Sequence, residues 1–443
     1  MKMRMPEQAA GKRIYNFDEV NRGYSGEQAS EEARRCLQCP VPRCEEGCPV
    51  GINIKDFIRL LRGGDASAAL AKIREKNNLP GICGRVCPQE TQCEQLCNLR
   101  KDPIGIGHLE RFAADRGTGQ PVDKGHANGR VAVVGSGPAG LTCAADLAVL
   151  GYDVTVYESL HKPGGVLAYG IPAFRLPKKI VLNEIGAIRG LGVKIETNIV
   201  VGKTLTIPEL KKVYDAVFIG AGAGLPRFMG IPGENLNGVV SANEFLTRIN
   251  LMDANSSGSK TPVESGKHVI VVGAGNVAMD SARTARRMGA DVTVVYRRSE
   301  HEMPARAEEV RHAKEEGISF RHLTNPVKII GDRHVSAVEC MKMELGHPDD
   351  SGRRRPIPVV GSGFTTECDL MIVAIGQGPN PLICQETPGL ESGKKCEIVV
   401  RQDLSTSIPG VFAGGDIVSG ASTVINAMRD GKVAARGIHK YLS

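Results

Sequence analysis

The sequence predicts an α-helical N-terminal domain followed by an α/β region of two parallel-sheet units, and three observations carry that expectation. Eight of the 13 cysteines fall between Cys36 and Cys97. From about residue 130 onward, apolar runs alternate with amphipathic segments, the βαβ rhythm of parallel sheets covered by helices. One pattern also occurs twice. Val131 to Gly140 is followed by Asp153 to Glu158, and Val269 to Ala278 by Asp291 to Arg298, so that Glu158 and Tyr296 each lie 23 residues beyond the first glycine of their segment.

Composition narrows the classes. Glycine accounts for 53 of 443 residues, an excess over the usual share of about 7%. Hydrophobic residues at 41% and charged residues at 24% exclude disorder and collagen. The length suits two to four domains of about 100–200 residues each. The net charge is +7, from 56 Lys and Arg against 49 Asp and Glu, and no run of five or six basic residues occurs. The longest basic run, Arg353 to Arg355, lies in a Gly/Pro-rich stretch that reads as a solvated loop, so no nucleic-acid partner is expected. Met1 to Val20 lacks the apolar core of a signal peptide, and no run is long enough to span a membrane, so a cytoplasmic protein with no membrane partner is expected.

In chain order, Gly26 to Arg35 reads as a helix, and Ile54 to Asn77 as another that places Phe57, Ile58, Leu61, Leu70 and Ile73 near helical spacing. Arg116 to Arg130, with Gly117, Gly119, Pro121, Gly125 and Gly129, reads as a linker. The strand-glycine segments Val217 to Gly224 and Met371 to Gly378 fit joins between the two later units. Ile408 to Asp416 reads as an apolar strand ending in Gly414-Gly415-Asp416, and Ala421 to Tyr441 as a helix.

The two glycine turns carry chemistry. Gly135, Gly137, Pro138, Ala139 and Gly140, and again Gly273, Gly275, Asn276, Val277 and Ala278, each follow an apolar strand and open a helix. Missing side chains there let backbone approach a pyrophosphate, and the helix N-terminus favours its charge, so two Rossmann-like dinucleotide sites are expected. The first unit's second strand ends in Glu158, whose carboxylate suits ribose hydroxyls and repels a 2′-phosphate. At the equivalent place the second has Tyr296, Arg297 and Arg298, where an aromatic ring suits the adenine and guanidiniums suit a 2′-phosphate. The first site therefore suits FAD and the second NADPH. Asp416 is placed to bond the ribityl chain, and the helix N-terminus at Ser422, Thr423 and Val424 points its positive end at the flavin.

The cysteine spacing is Cys36-x2-Cys39-x4-Cys44-x3-Cys48-Pro49, then Cys83-x3-Cys87-Pro88-x5-Cys93-x3-Cys97. These gaps are not the paired C-x2-C halves of structural zinc, and without a secretory signal disulfides are not expected. Ferredoxin-like wiring puts Cys36, Cys39 and Cys44 on one [4Fe-4S] cluster with a remote fourth ligand, and Cys48 with Cys87 and Cys93 on a second. With eight cysteines for two clusters, an all-cysteine scheme must use Cys83. Cys143, Cys340, Cys368, Cys384 and Cys396 read as ordinary residues, and the absence of C-x-x-C after residue 97 argues against a thioredoxin-reductase-like outlet.

Arg35-Cys-Leu-Gln-Cys39, Leu79 to Gln89, Ile106 to Phe112, Pro163 to Pro172 and Arg175-Leu-Pro-Lys178 together resemble the small-subunit family of NADPH-dependent glutamate synthase over residues 35 to 443. Similar chains are the large subunit of the electron-bifurcating NADH-dependent ferredoxin:NADP oxidoreductase, a sulfide dehydrogenase subunit and the N-terminal half of dihydropyrimidine dehydrogenase. The resemblance implies that Cys97 closes the first cluster, that Glu110 completes the second, and that Cys83 holds no iron. It implies too that the Pro163 to Pro172 loop passes along the flavin, with Gly164, Gly165, Leu167 and Arg175 binding FAD. The expected architecture is a helical iron-sulfur domain (1–125) and two three-layer ββα domains, the NADP domain (241–370) inserted into the FAD domain (126–240 and 371–443). The implied activity passes electrons from NADPH through FAD and two [4Fe-4S] clusters to a larger FMN-containing glutamate synthase subunit, with no side-chain acid, base or nucleophile. Delivery to a ferredoxin or flavoprotein partner, as in the bifurcating and sulfide dehydrogenase subunits, is the alternative, and a cofactor-free scaffold is the non-enzyme reading.

Overall fold

The computed structural model describes residues 1–119, 125–349 and 352–443. Up to residue 116 the chain is helical. Ser25 opens the helix Gly26–Arg34 with a capping box, its hydroxyl accepting the Gln28 N–H while the Gln28 side chain accepts the Ser25 N–H. The helix expected over 54–77 is two, Ile54–Arg62 and Ala66–Arg74. Gly63 and Gly64 interrupt it, Gly64 at φ +85°, and the Asp65 carboxylate restarts it by accepting the Ala68 N–H at 2.8 Å. Phe57, Ile58, Leu61, Leu70 and Ile73 are all buried. The helix Pro80–Val86 is buried along its length and packs on Ile106–Arg116 so closely that a Cβ on Gly84 would stand 2.6 Å from the Arg111 nitrogen. The middle of the expected 116–130 linker, around Pro121, lies outside the described residues.

The strands are β1 (Arg130–Val134), β2 (Asp153–Tyr157), β3 (Lys194–Glu196), β4 (Ala216–Ile219), β5 (Leu225–Pro226), β6 (Val239–Ser241), β7 (His268–Val272), β8 (Asp291–Val295), β9 (Ser319–Arg321), β10 (Thr324–Gly331), β11 (Val335–Pro348), β12 (Arg354–Pro358), β13 (Phe364–Glu367), β14 (Leu370–Val373), β15 (Gln377–Gly378) and β16 (Val411–Ala413). Two parallel sheets result, in the orders β16-β4-β1-β2-β3 and β6-β14-β7-β8-β9. The sequence repeat becomes a repeat of register, with Arg130 opposite Asp153 and His268 opposite Asp291. The first sheet recruits β16 from near the chain's end, so the second sheet lies in sequence between β4 and β16. The chain crosses between the sheets twice, at β5 and β15, which pair with each other antiparallel. The second sheet's strands begin at Val239 and end at Val373.

An antiparallel group, β10-β11-β12 with β13 on β11, is attached to the second sheet. Here the expectation of a loop at 353–355 is corrected: Arg354 and Arg355 belong to β12, an edge strand, where Pro356 and Pro358 are tolerated because one side needs no ladder hydrogen bond. No helix among the described residues is long and apolar enough to cross a membrane.

A buried ionic joint connects these units. Glu316, just past the helix Ala307–Glu315, takes Arg13 Nε at 2.7 Å, Arg283 Nη2 at 2.8 Å and Arg287 Nη1 at 2.7 Å. Arg283 also pairs with Glu309, and Arg283 and Arg287 stack on the ring of Phe174, 4.7 and 3.9 Å from its centroid. Burial would raise the Glu316 carboxyl, but hydrogen bonds from Arg287 and Arg283 hold it at about 2.

Arg283→Ala should cost about 3–5 kcal/mol in urea unfolding, because it leaves two buried carboxylates short of a cation. Glu316 ionises below its ordinary value of 4.5, so its contribution is complete above that pH and is lost as pH falls toward 2. The variant should show a shallower acid loss than the wild-type chain.

Candidate functional site

The first glycine turn joins β1 to the helix Pro138–Leu150. Gly135 has φ +93°, and a Cβ there would stand 2.5 Å from the Gly220 carbonyl oxygen. One on Gly140 would stand 1.9 Å from the Gly135 oxygen, whereas Gly137 has nothing within 4 Å of that position. Two glycines thus pack backbone on backbone, and the third leaves bare backbone beside the helix N-terminus that Pro138 opens and Ala139 buries, a cradle that fits a pyrophosphate. Glu158, at the end of β2, is buried; its carboxylate accepts the Ser136 N–H at 3.0 Å and the Leu160 N–H at 2.9 Å. The Ser136 hydroxyl also accepts the Gly164 N–H at 2.8 Å, tying the 163–172 loop to the turn.

That loop and the C-terminal segment close on the same turn. Gly165, at φ +53°, lies so near that a Cβ would stand 2.9 Å from Gly137 Cα, and one on Gly415, at φ +76°, would stand 2.9 Å from Ala139 Cβ. Leu167 is fully buried in the short helix Val166–Tyr169. Burial raises the Asp416 carboxyl to about 6, opposed by the Ser422 N–H that it accepts at 3.2 Å. Thr423 caps the helix Val424–Leu442, its hydroxyl accepting the Asn426 N–H at 3.3 Å. Arg175 is drawn elsewhere: its Nη1 donates to Asp280 at 2.7 Å and its Nε faces Glu309 at 2.9 Å, a link to the helix behind the second turn. Sequence reasoning assigned no role to Lys178. Its amino group donates to the carbonyls of Leu167 (3.1 Å) and Ile171, pinning the loop, and burial lowers it to about 7. The Arg175-Leu-Pro-Lys178 segment was the available signal.

The second turn joins β7 to the helix Asn276–Arg287. Gly273, at φ +127°, would bring a Cβ 2.2 Å from the Ala374 oxygen; at Gly275 the nearest atom, Pro304 Cγ, is 3.9 Å away. The packing repeats that of the first turn, and the bare second glycine again fits a pyrophosphate. Ala278 is buried, Val277 is partly exposed, and the Asn276 side chain accepts the Arg306 N–H at 3.0 Å. The residues beyond β8 are not equivalent. Arg297 is exposed, whereas Arg298 is buried, pairing with Asp349 and donating to the Arg354 carbonyl at 2.8 Å. Tyr296 is buried too, its hydroxyl donating to the Glu302 carbonyl at 2.8 Å.

The cysteines form two groups. Cys36, Cys39, Cys44 and Cys97 line one cavity together with Leu37, Pro42, Arg43 and Lys55. Cys48, Cys87 and Cys93 lie deeper, electrostatically coupled to one another and to Glu110. Burial lifts the Cys44 thiol to about 12, Cys48 to about 11 and the Glu110 carboxyl to about 8, the last against a 2.6 Å hydrogen bond from Asn77. Donor sets held protonated by burial and mutual repulsion fit a metal centre that displaces those protons. Cys83 is fully buried beside Cys87, its Sγ 3.7 Å from Asn77 Oδ1 and 3.5 Å from Met428 Sδ.

Residues 129–431 match the family described as pyridine nucleotide-disulphide oxidoreductase, and residues 13–121 the one described as dihydropyrimidine dehydrogenase domain II, 4Fe-4S cluster. The glutamate synthase [NADPH] small chain of Azospirillum brasilense is 39% identical over 456 residues, covering 99% of this chain and 94% of that one. The NADP(+)-dependent formate dehydrogenase subunit beta of Moorella thermoacetica is 42% identical over 432 residues, covering 90% of this chain and 60% of that one. Among solved structures, Mycobacterium tuberculosis FprA in complex with NADPH is similar in fold, with a TM-score of 0.60 at 22% identity over 71% of this chain and 85% of that one.

Two glycines of the first turn should respond oppositely. Gly140→Ala should lower stability by about 3 kcal/mol or more, since the methyl meets backbone that cannot move aside. Gly137→Ala should leave the melting temperature almost unchanged while weakening dinucleotide retention, read as bound cofactor after gel filtration.

Proposed function

We propose, since the chain belongs to the glutamate synthase small-chain family of pyridine nucleotide-disulphide oxidoreductases, that it is an NADPH-dependent electron-transfer oxidoreductase serving a larger electron-accepting subunit. The first turn, Glu158, the 163–167 loop and the segment from Gly415 to Val424 hold FAD. The second turn and Arg297 hold NADPH. Cys36, Cys39, Cys44 and Cys97 hold an outer [4Fe-4S] cluster, and Cys48, Cys87, Cys93 and Glu110 an inner one. The NADP domain, about residues 239–373, is inserted into the FAD domain, and the iron-sulfur domain precedes both. When bound, FAD supplies the conversion of a two-electron donor into single electrons, and the clusters supply one-electron conduction. The partner in this reading is an FMN-containing glutamate synthase large subunit.

The observation that carries this reading is a single apolar core running from the inner cysteines to the first turn. Cys83, Cys87, Cys93, Leu109, Val133, Ala139, Leu167 and Met428 belong to one contiguous cluster of buried residues. Cys83 Sγ touches Met428 Sδ at 3.5 Å, on the helix whose N-terminus opens beside the first turn. That helix end favours the negative charge that reduction brings, Lys178 fixes the 167–171 loop through its carbonyls, and packed side chains exclude water between the inner cysteines and the turn.

The test is anaerobic purification followed by flavin, iron and sulfide analysis and titration with NADPH. Colourless, iron-free protein would sink the reading. Glu110→Ala should change the EPR signal of one cluster and spare the flavin, and Cys83→Ser should change neither; the reverse pattern assigns the fourth ligand to Cys83. Arg297→Ala should weaken NADPH by about 1.5–3 kcal/mol, the worth of a hydrogen bond to a charged group, and leave NADH unchanged, as measured by the ratio of their KM values.

A further inference from the structure

Arg306 stands where the second turn meets the inner cysteines. Its backbone N–H donates to Asn276 Oδ1 at 3.0 Å, at the first residue of the helix that leaves the turn, and the neighbouring Ala305 N–H donates to the Ala274 carbonyl at 3.2 Å. Its side chain, 8% exposed, points the other way. Nη1 donates to the Arg85 carbonyl at 3.0 Å and Nη2 to Gln89 Oε1 at 3.1 Å, two residues before and two after Cys87. Gln89 is itself held, its Nε2 donating to the Cys83 carbonyl at 3.3 Å. The carboxylates facing the Arg306 guanidinium are Glu90 at 3.4 Å and Glu308 at 3.5 Å, with Glu309 beyond.

We propose that Arg306 is the charge that sets the reduction potential of the inner cluster, contributed across the domain boundary by the nucleotide-binding unit. The inference rests on the cofactor assignment above. Adding an electron to a cluster adds negative charge, and a buried cation bonded to the segment that carries one of its ligands stabilises the reduced form in the low dielectric of the interior. A guanidinium suits the place because it keeps its proton and its fork satisfies two oxygen acceptors at once. Arg306 is thus a positioning residue: it makes the cluster a better electron acceptor without binding it, and Asn276 fixes where that charge stands.

The experiment is a redox titration of the anaerobically purified, cofactor-loaded chain, followed by EPR for the clusters and absorbance for the flavin. In Arg306→Gln the reduced-to-oxidised ratio of one cluster at fixed poise should fall about tenfold, equivalent to 59 mV for one electron, with the other cluster and the flavin unmoved. Arg306→Lys, which keeps the charge, should shift it by less than half as much. Unchanged clusters in Arg306→Gln would overturn the proposal, and so would an equal movement of both clusters and the flavin. Should Arg306→Gln not fold, Glu90→Gln removes an opposing charge from the exposed side and should raise the same ratio; no change there would overturn it equally. Wild-type protein without iron or flavin would instead defeat the cofactor assignment, an outcome read before any variant is compared.

Discussion

Glu316 accepts hydrogen bonds from three guanidiniums that reach it from two distant parts of the chain: Arg13 near the start, and Arg283 and Arg287 on the helix behind the second nucleotide turn. A buried carboxylate with three partners has one geometry in which all are satisfied. Displacing any partner leaves charge in a medium that cannot solvate it. Because Phe174 lies beneath two of these arginines and Arg175 reaches Asp280 and Glu309, the same network fixes the loop that closes on the first turn. The position of the second unit against the other two is therefore set by ionic contacts that tolerate no sliding, where an apolar face of similar area accepts small shifts in register.

The helical unit meets the first unit differently. There the joint is chiefly a continuous apolar core, with polar links at its edge: Arg74 pairs with Glu184 at 2.9 Å, and the Asn78 side chain donates to Asp146 Oδ1 at 2.8 Å. The difference follows from what each joint must do. Between the inner cysteines and the first turn, tight apolar packing keeps water out. Between the two nucleotide units the fixing contacts are ionic and directional.

What the sequence made legible follows the range of the interactions involved. The two turns could be read from spacing because a glycine's role there is decided by backbone only a few residues away or on the adjoining strand, as the matching positions of Gly135 and Gly273 illustrate. The core face of the helix Ile54–Arg62 was legible for the same reason, since its spacing alone sorts buried from exposed. The break at Gly63 and Gly64 is local too, stated by the glycine pair followed by Asp65, yet the helical spacing on either side masks it in a reading of 54–77 as one helix. The pairing of Arg298 with Asp349 spans a hairpin that periodicity does not announce, and it separates two adjacent arginines into one buried contact and one exposed cation. Arg175 belongs to a segment that reads as lining the first site, yet its partners lie more than a hundred residues on.

Arginine does most of this long-range work, and its chemistry explains why. A lysine reaching the same carboxylates offers one compact charge that burial readily strips of its proton, as Lys178 illustrates by being lowered to about 7. A guanidinium retains its charge and presents several N–H groups in a plane, so one side chain can bind acceptors on two elements and hold their relative orientation. Arg13, Arg175, Arg283 and Arg306 each do so at a boundary between units, and each is buried or nearly so. In a chain that joins a 4Fe-4S domain to a pyridine nucleotide-disulphide oxidoreductase domain, electron transfer depends on distances that no single unit controls. Placing unneutralisable, multi-donor side chains at the boundaries makes those distances a property of the folded chain rather than of any one domain.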